Sequence, residues 1–191
     1  MTGFDDSESE KGRLLLAIAR ATLTEELSPP GEPWPRSSWL NEEGACFVTL
    51  QRAGELRGCI GSMLAYRPLL EDIRSNARAA AFGDPRFPPL EAWELADLTI
   101  SVSLLSALEP MRFSSEEDLL AQLRPGVDGL LLEYGRYRGT FLPAVWENLA
   151  ESELFLDKLK AKAGLDEDFW SPEIDVKRYT TRTWIENDPG E

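Results

Sequence analysis

The most informative segment of the chain is Phe47-Val-Thr-Leu-Gln-Arg-Ala-Gly-Glu-Leu-Arg-Gly-Cys-Ile-Gly61. Its first part, from Cys46 to Leu50, is rich in β-branched and aromatic residues. A second β-prone run extends from Leu56 to Ile60, and Ala53-Gly54 between the two runs has the composition of a tight turn. The stretch therefore predicts a β-hairpin.

The return strand of this hairpin carries the first candidate site. Side chains alternate across a strand, so Arg57 and Cys59 are expected on one face, with Gly58 and Ile60 on the other. A fixed positive charge near a thiol favours the thiolate, which is the reactive form. Cys59 is therefore a candidate catalytic thiol; the alternative is a small residue that fills a tight position in the sheet.

Glycines on both sides of Cys59 have two interpretations. Gly58 and Gly61 could let a ligand approach the backbone closely. Alternatively, they mark a β-bulge at the end of the strand. No Gly-Lys-Ser/Thr or Gly-x-Gly-x-x-Gly pattern follows a strand into a helix, so the sequence does not predict a phosphate loop and names no cofactor.

The rest of the chain mixes helical and strand patterns. A connector containing four prolines joins the first helix to the hairpin, and a three-proline loop, Asp84 to Leu90, follows the second helix. The predicted helices begin at Lys11, Pro68, Ser115 and Ser152. The remaining predicted strands are Leu98 to Ser106, the hairpin from Gly129 to Leu142, and Ile174 to Ile185.

These patterns predict an α+β fold of two subdomains that share a core, with a mixed or antiparallel sheet of hairpins and flanking helices. Leu56-Arg-Gly-Cys-Ile60 and Tyr137-Arg-Gly-Thr-Phe141 occupy the same place in two hairpins, which favours two β-β-α units, although chance is a competing explanation. Residues 1–10 are expected to be a disordered acidic tail, 11–185 one domain, and 186–191 a polar tail.

Composition excludes several classes of protein. The net charge is -14, which repels phosphate backbones, so no nucleic-acid partner is expected. There is no histidine and there are only two cysteines, which excludes Ser-His-Asp and Cys-His catalysis and a four-thiolate zinc site. No apolar run approaches the roughly 18 residues that span a bilayer, and the acidic N-terminus is unlike a signal peptide. A cytoplasmic protein without a membrane partner is expected.

Several motifs in order resemble the AMME-chromosomal-region gene family, whose microbial members are known as AmmeMemoRadiSam system protein A. The resemblance covers about Leu14 to Ile185. The motifs are Leu56-Arg-Gly-Cys-Ile-Gly61, Asp84-Pro-Arg-Phe-Pro-Pro-Leu90, Ile100-Ser-Val-Ser-Leu104, Gly126-Val-Asp-Gly-Leu130, Phe141-Leu-Pro143 and Lys162-Ala-Gly-Leu165.

The resemblance implies an AMMECR-type α+β domain in which the Arg57–Gly61 segment faces a cleft. It also implies partners: Memo-like proteins, which resemble non-haem iron dioxygenases, and radical S-adenosylmethionine proteins. The activity itself is not implied, so whether the protein is an enzyme stays open.

Two arginines are candidate anion contacts in this cleft. Arg57 could bind a carboxylate or phosphate, or it could form an ion pair with one of the 34 acidic residues. Arg86 in the proline-rich loop could contact the same anion, or it could hold the loop down through an ion pair. The favoured function is a substrate-binding or catalytic component in which Cys59, Arg57, Gly58, Ile60, Gly61 and Arg86 line the cleft. The alternative is a non-enzymatic interaction module that uses the Arg57–Gly61 segment.

Overall fold

The computed structural model describes residues 6–27 and 37–186 of the chain. These residues form two compact units, the first from residues up to 105 together with those from 182 onwards, the second from 106–181. Helices and two antiparallel four-stranded sheets make up the units, which confirms the α+β class. Each unit has a buried apolar cluster of its own.

The first unit places two helices against one sheet. The sheet has the strand order β2-β1-β3-β8, and α1 and α2 pack on it through leucine, isoleucine and alanine side chains that are fully buried. The bounds of its elements are α1 Asp6–Leu27, β1 Cys46–Arg52, β2 Glu55–Gly61, α2 Leu69–Phe82, β3 Leu98–Leu105 and β8 Thr181–Ile185.

The first helix forms because apolar residues recur every three or four positions. Leu15, Ile18 and Leu23 are completely buried, and burial of each contributes roughly 1.5–3 kcal/mol relative to exposure. The helix begins at Asp6, five residues before the predicted start at Lys11, so the expected disorder of residues 1–10 is wrong for Asp6 to Glu10. Glu8 and Glu10 lie in its N-terminal turns, where the helix dipole favours negative charge. Residues 1–5 lie outside the described part.

The connector after the first helix is described only from residue 37. Predictions for Pro29 to Trp34 lie outside the described residues. A short 3-10 turn, Ser38–Asn41, follows, and Leu40 and Trp39 pack against the first core as expected.

The second helix lies unusually close to the hairpin. The helix α2 begins one residue after the predicted start at Pro68, and Gly83 ends it. A methyl group added at Gly58 of β2 would lie 2.1 Å from the carbonyl oxygen of Ala80 in α2. The alanines of α2 and the bare Gly58 together allow this approach. A 3-10 turn, Ala92–Asp97, then leads into β3.

The second unit packs one helix against a four-stranded sheet of order β4-β7-β5-β6, and its other helix contacts the first. Its core includes Phe155 stacked on Trp146, with ring centroids 3.8 Å apart. Ser115 accepts a hydrogen bond from the amide of Asp118 as the predicted cap of α3. The bounds are β4 Glu109–Pro110, α3 Glu116–Gln122, β5 Gly129–Tyr134, β6 Tyr137–Phe141, α4 Ser152–Ala163 and β7 Asp175–Tyr179.

The two similar sequence segments have equivalent structural positions. Both β2 and β6 are edge strands, and each pairs antiparallel with the preceding strand of its hairpin. In each, the glycine after the arginine packs against an alanine near the end of the following helix: Gly58 against Ala80, and Gly139 against Ala163. The similarity therefore includes the packing of strand on helix and extends beyond the Arg-Gly pair.

The last predicted strand is in fact two. Ile174 to Ile185 divides at Thr180 into β7, which belongs to the second sheet, and β8, which belongs to the first. Thr180 exchanges hydrogen bonds with Ser106 at this point. Neither glycine nor proline marks the break, so the sequence carries no turn signal there. Glu186, expected in a polar tail, instead forms an ion pair with Arg20 of α1.

Candidate functional site

The hairpin that carries the site has the predicted turn and one irregularity. Ala53 and Gly54 both have positive φ, 51° and 81°, which matches the right-handed twist of the flanking strands. The register shifts after Leu50: Leu50 pairs with Gly58, and Gln51 pairs with Leu56. Arg57 is therefore the extra residue of a β-bulge, and a bulge turns its side chain away from the simple alternation.

Arg57 is held by a carboxylate of the 3-10 turn before β3. Its Nε donates to Glu94 Oε1 at 2.8 Å and its Nη2 to Glu94 Oε2 at 2.9 Å, a two-pronged pair. Only 11% of the Arg57 side chain and 7% of the Glu94 side chain are exposed. Hydrogen bonds from Arg57 lower the pKa of Glu94, and Glu94 in turn raises the pKa of Arg57. The ion-pair alternative for Arg57 is the one found.

Cys59 lies on the edge strand among neutral groups and one ion pair. Its half-buried sulfur accepts a hydrogen bond from the Thr49 hydroxyl at 3.3 Å, across the non-bulged part of the hairpin. Its amide donates to Asp84 Oδ2 at 2.9 Å, and its carbonyl accepts from Arg86 Nη2 at 3.3 Å. No hydrogen bond or ion pair of Arg57 involves Cys59, so the expected thiol–guanidinium pair is not formed.

Asp84 and Arg86 close the open edge of β2. Arg86 binds Asp84 through Nε at 2.9 Å and Nη2 at 2.7 Å, and both residues also bond to the backbone of Cys59. The Asp84 side chain is 2% exposed. The Arg86 side chain and the Cys59 amide hold the pKa of Asp84 well below its usual range. The proline-rich loop therefore replaces the missing neighbouring strand at this point. Of the two interpretations of Arg86, the structure contains the ion pair that holds the loop.

The glycines serve packing within the chain. Gly58 lies against the carbonyl of Ala80, and a methyl group at Gly61 would lie 2.2 Å from the ring of Phe47. Ile60 packs against the first core. The interpretation that Gly58 and Gly61 admit a ligand is therefore not supported, because protein atoms already occupy the space beside them. The bulge predicted for this segment is real, but it lies at Arg57.

A buried carboxylate beside Cys46 has no counterpart in the sequence-based prediction. Asp72, fully buried on α2, accepts hydrogen bonds from the Cys46 amide, Ser62, Asn76 and Arg67. Burial raises the pKa of Cys46 above its usual range, and Asp72 adds to the effect. In the sequence, Asp72 and Asn76 are four residues apart and lie beside the apolar stripe of α2. This spacing is the pattern from which a buried polar cluster could have been predicted. The Cys46 thiol is thereby held in its neutral form.

A cavity of about 530 Å³ opens beside the hairpin turn. Arg57 is the member of the predicted site that contributes to its lining; Cys59 does not. The lining residues are Arg52, Ala53, Glu55, Leu56, Arg57 and Asp97.

The described residues lack a metal-binding cluster and a membrane-spanning helix. No three His, Cys, Asp or Glu side chains in residues 6–27 and 37–186 are grouped as a metal site requires. Within the same residues, no helix combines the length and the apolar character needed to cross a membrane.

Comparison with known proteins places the chain in a family. The AMMECR1 family model matches residues 16–184. A protein of Sulfolobus acidocaldarius is 41% identical over 184 residues, which cover 92% of this chain and 81% of that protein. A protein of Methanothermobacter thermautotrophicus is 38% identical over 183 residues, with coverage of 93% and 95%.

A solved structure has the same fold. The crystal structure of the uncharacterized protein PH0010 from Pyrococcus horikoshii has a TM-score of 0.80 and 32% sequence identity, and the match covers 95% of this chain and 94% of that one. Both the sequence match over residues 16–184 and the relatives that cover nearly the whole chain lead to one conclusion. This chain belongs to the AMMECR1 family.

Proposed function

We propose that the protein is a cytoplasmic, non-enzymatic interaction module that uses the Arg57–Gly61 segment and the adjoining Leu56. Its proposed partners are Memo-like and radical S-adenosylmethionine proteins. The observation that supports this function over catalysis is that both candidate anion contacts are already neutralised. Arg57 binds Glu94 and Arg86 binds Asp84, each through two nitrogens.

An anionic substrate that binds the nitrogens already in use would have to displace Glu94 from Arg57 or Asp84 from Arg86. The Arg57 Nη1, which is buried, has no hydrogen-bond partner among the described residues. Glu94 and Asp84 are both nearly buried, so displacement would leave a charge without a partner in a poorly solvated place. Breaking a buried ion pair costs about 3–5 kcal/mol; the Arg57–Glu94 pair, with 11% and 7% exposure, belongs to that class. Substrate binding at Arg57 is therefore disfavoured, whereas a partner surface can dock on the segment with this pair intact.

Leu56 is the residue of the motif that remains open to a partner. Its side chain is 42% exposed, while the neighbouring Arg57 and Gly58 face inward. Exposed apolar side chains mark a protein–protein contact when they belong to a larger surface feature, and Leu56 lines the cavity beside the hairpin turn.

Covalent chemistry at Cys59 is the second candidate, favoured by one observation. The Thr49 hydroxyl donates to the sulfur, and a hydrogen bond to the charged form of a thiol stabilises that form. The chain has no histidine to accept the thiol proton. The proton acceptor would therefore be a carboxylate, a lysine, a tyrosine, water or a group of a partner. Intact-mass measurement of protein purified from cells, with Cys59→Ala as control, tests for an adduct.

Co-purification with a tagged Memo-like protein tests the interaction function. We expect Leu56→Asp to reduce capture by about ten-fold or more, because an anchoring leucine contributes more than 1.4 kcal/mol at an interface. Cys59→Ala should retain capture. The matched control is Leu154→Asp, since Leu154 in the second unit is equally exposed, 42%.

The opposite pattern would overturn the proposal. Unchanged capture by Leu56→Asp together with loss in Cys59→Ala would assign the segment to thiol chemistry. Arg57→Glu and bulk at Gly58 are less suitable variants, because the first disrupts the Glu94 pair and the second collides with Ala80.

A further inference from the structure

We infer that the cavity beside the hairpin turn binds a basic protein segment that inserts one apolar side chain. This inference rests on the proposed interaction function and specifies the chemistry of the partner. The cavity, about 530 Å³ in volume, is within the size range of ligand pockets. It is lined by the two sides of the hairpin turn and by Asp97, the last residue of the 3-10 turn before β3.

One large exposed apolar side chain lines the cavity, and a second packs on an arginine that lines it. Leu56 lines it, and Trp93, 60% exposed, is connected to it through Arg52. The Arg52 guanidinium carbon lies 4.4 Å from the centroid of the Trp93 ring. The Trp93 indole nitrogen donates to Glu91 at 2.8 Å, so the ring is held from two sides. A tryptophan that is ordered before binding loses little entropy, and this residue type is enriched among those that dominate interface energies.

The charges around the cavity favour a basic partner. Glu55 forms no ion pair with any residue in the described part of the chain, and its carboxylate is free to meet a cation. Asp97 is 63% exposed, and its ion pair with Arg52 is long, 3.9 Å. The charge of Arg57, by contrast, is balanced by Glu94, although its buried Nη1 has no hydrogen-bond partner among the described residues. The uncompensated charge at the rim is therefore negative, as is the whole chain at -14, which also attracts basic partners over distance.

The same balance argues against other occupants. A nucleic acid or an acidic segment would need cations, and Arg52 is shared among Trp93, Glu94 and Asp97. A lysine- or arginine-containing segment can place its charges on Glu55 and Asp97 while a leucine or phenylalanine covers Leu56 and Trp93.

Titration of the full ¹⁵N-labelled chain with three synthetic peptides tests the inference by NMR. The probes are Lys-Lys-Leu-Phe-Lys-Lys, Glu-Glu-Leu-Phe-Glu-Glu and Lys-Lys-Gly-Ser-Lys-Lys. We expect the first peptide to shift the amide signals of Ala53 to Leu56 and the indole signal of Trp93. The other two peptides should bind at least about ten-fold more weakly. The acidic peptide is repelled by the negative charges of the rim, and the Gly-Ser peptide has no apolar side chain to insert.

Two variants make the test specific. Glu55→Lys removes no ion pair, so it should fold normally and reverse the preference toward the acidic peptide. Trp93→Ala should weaken the basic apolar peptide about ten-fold while the fold persists, since the ring is 60% exposed. Leu154→Asp is the control and should leave the titration unchanged.

The other possible results of the titration separate the inferred ligand from the proposed function. The inference is overturned if the acidic peptide binds as well as the basic one, or if no peptide shifts these signals. In either case the proposed interaction function still stands, provided that Leu56→Asp impairs capture of the Memo-like protein. If the same signals shift with protein concentration alone, a second copy of the chain is the occupant and the inference is wrong. If the basic peptide binds but Leu56→Asp leaves capture unchanged, the inferred preference stands and the proposed partner does not.

Discussion

Cys46 and Cys59 belong to the same hairpin but differ in what surrounds the sulfur. Cys46 is fully buried beside Asp72 and Asn76, and both burial and the nearby carboxylate disfavour its thiolate. Cys59 is half-buried on the edge strand, and a hydroxyl donates to its sulfur. Two thiols of one chain therefore face different solvent access and different electrostatics.

This difference predicts selective alkylation. Under native conditions iodoacetamide should modify Cys59 first, and Cys46 only after unfolding, because the reagent needs both access and thiolate. Peptide mass spectrometry of samples quenched over time measures the two rates. Equal rates in the folded protein would contradict the prediction. The covalent alternative for Cys59 further requires that its modification proceed well below the usual pH range of thiols.

Asp84 makes stability depend on pH. Its pKa is lowered in the folded protein, so the carboxylate contributes stability above the ordinary Asp pKa, about 3.9. That contribution is lost as pH falls below about 4 toward the lowered value. Asp84→Asn should therefore be less stable than the parent at pH 7, and the difference should shrink as the pH falls below about 4.

Urea unfolding at a series of pH values measures this difference. Asp168→Asn is the control, because Asp168 is exposed and forms no ion pair within the described residues. A difference between Asp84→Asn and the parent that does not change from pH 7 to pH 3 would show that Asp84 acts through its shape and not through its charge.

At the scale of elements, the contact between β2 and α2 depends on the absence of one side chain. A methyl group at Gly58 would collide with backbone of α2 at 2.1 Å, and backbone yields less readily than a side chain. At the equivalent Gly139 the clash with Ala163 is milder, 2.9–3.0 Å. The helix–strand distance is therefore tighter in the first unit than in the second.

The loss of stability on substitution by alanine should be larger at Gly58 than at Gly139. Gly58→Ala is expected to lower the free energy of unfolding by about 3 kcal/mol, and Gly139→Ala by about 1 kcal/mol, since overpacking costs 1–3 kcal/mol and backbone cannot yield. Gly54→Ala is the comparison, with no clash but a positive φ that costs about 1 kcal/mol. Guanidinium unfolding midpoints give the order. A Gly58→Ala variant as stable as the parent would refute the close contact.

The proline-rich loop also acts on an element, the edge strand β2. Asp84 and Arg86 occupy the amide and carbonyl of Cys59 that would otherwise be open to another strand. An edge closed in this way resists pairing with other chains. A partner of the Arg57–Gly61 segment is thus expected to contact side chains such as Leu56 and not to extend the sheet at Cys59.

At the scale of the whole molecule, two buried clusters divide the chain. Every member of the first cluster belongs to the first unit, and every member of the second belongs to residues 106–181. Each cluster can therefore lose packing without direct loss of contacts in the other.

Core truncations should show this division in hydrogen exchange. Phe155→Ala removes a fully buried ring stacked on Trp146 and should cost about 3–5 kcal/mol. Amide exchange is expected to accelerate mainly in residues 106–181. Ile18→Ala, costing about 2–5 kcal/mol, should instead accelerate exchange in the first unit. Uniform acceleration across the chain in both variants would mean that the molecule unfolds as one cooperative body.

Local pattern was enough to predict most of the elements. The Ala53-Gly54 turn, the apolar stripe of α2 that ends at Gly83, and the Ser115 cap each act within a few residues, so the sequence determined them by itself. The break at Thr180 was missed because the change of sheet there depends on the pairing of Thr180 with Ser106, more than 70 residues away, and leaves no turn residue in the sequence.

The site was determined differently. The sequence by itself located Arg57, Cys59 and Arg86 as chemically capable residues, and it determined the hairpin that carries two of them. Their contacts come from the fold. Glu94 neutralises Arg57 from 37 positions away, and Asp84 neutralises Arg86 beside the Cys59 backbone. A bulge separates the Arg57 guanidinium from the Cys59 thiol. The physical reason is that the charge state and freedom of a side chain depend on which distant groups the fold brings within hydrogen-bonding distance, and residue type and spacing do not specify those groups.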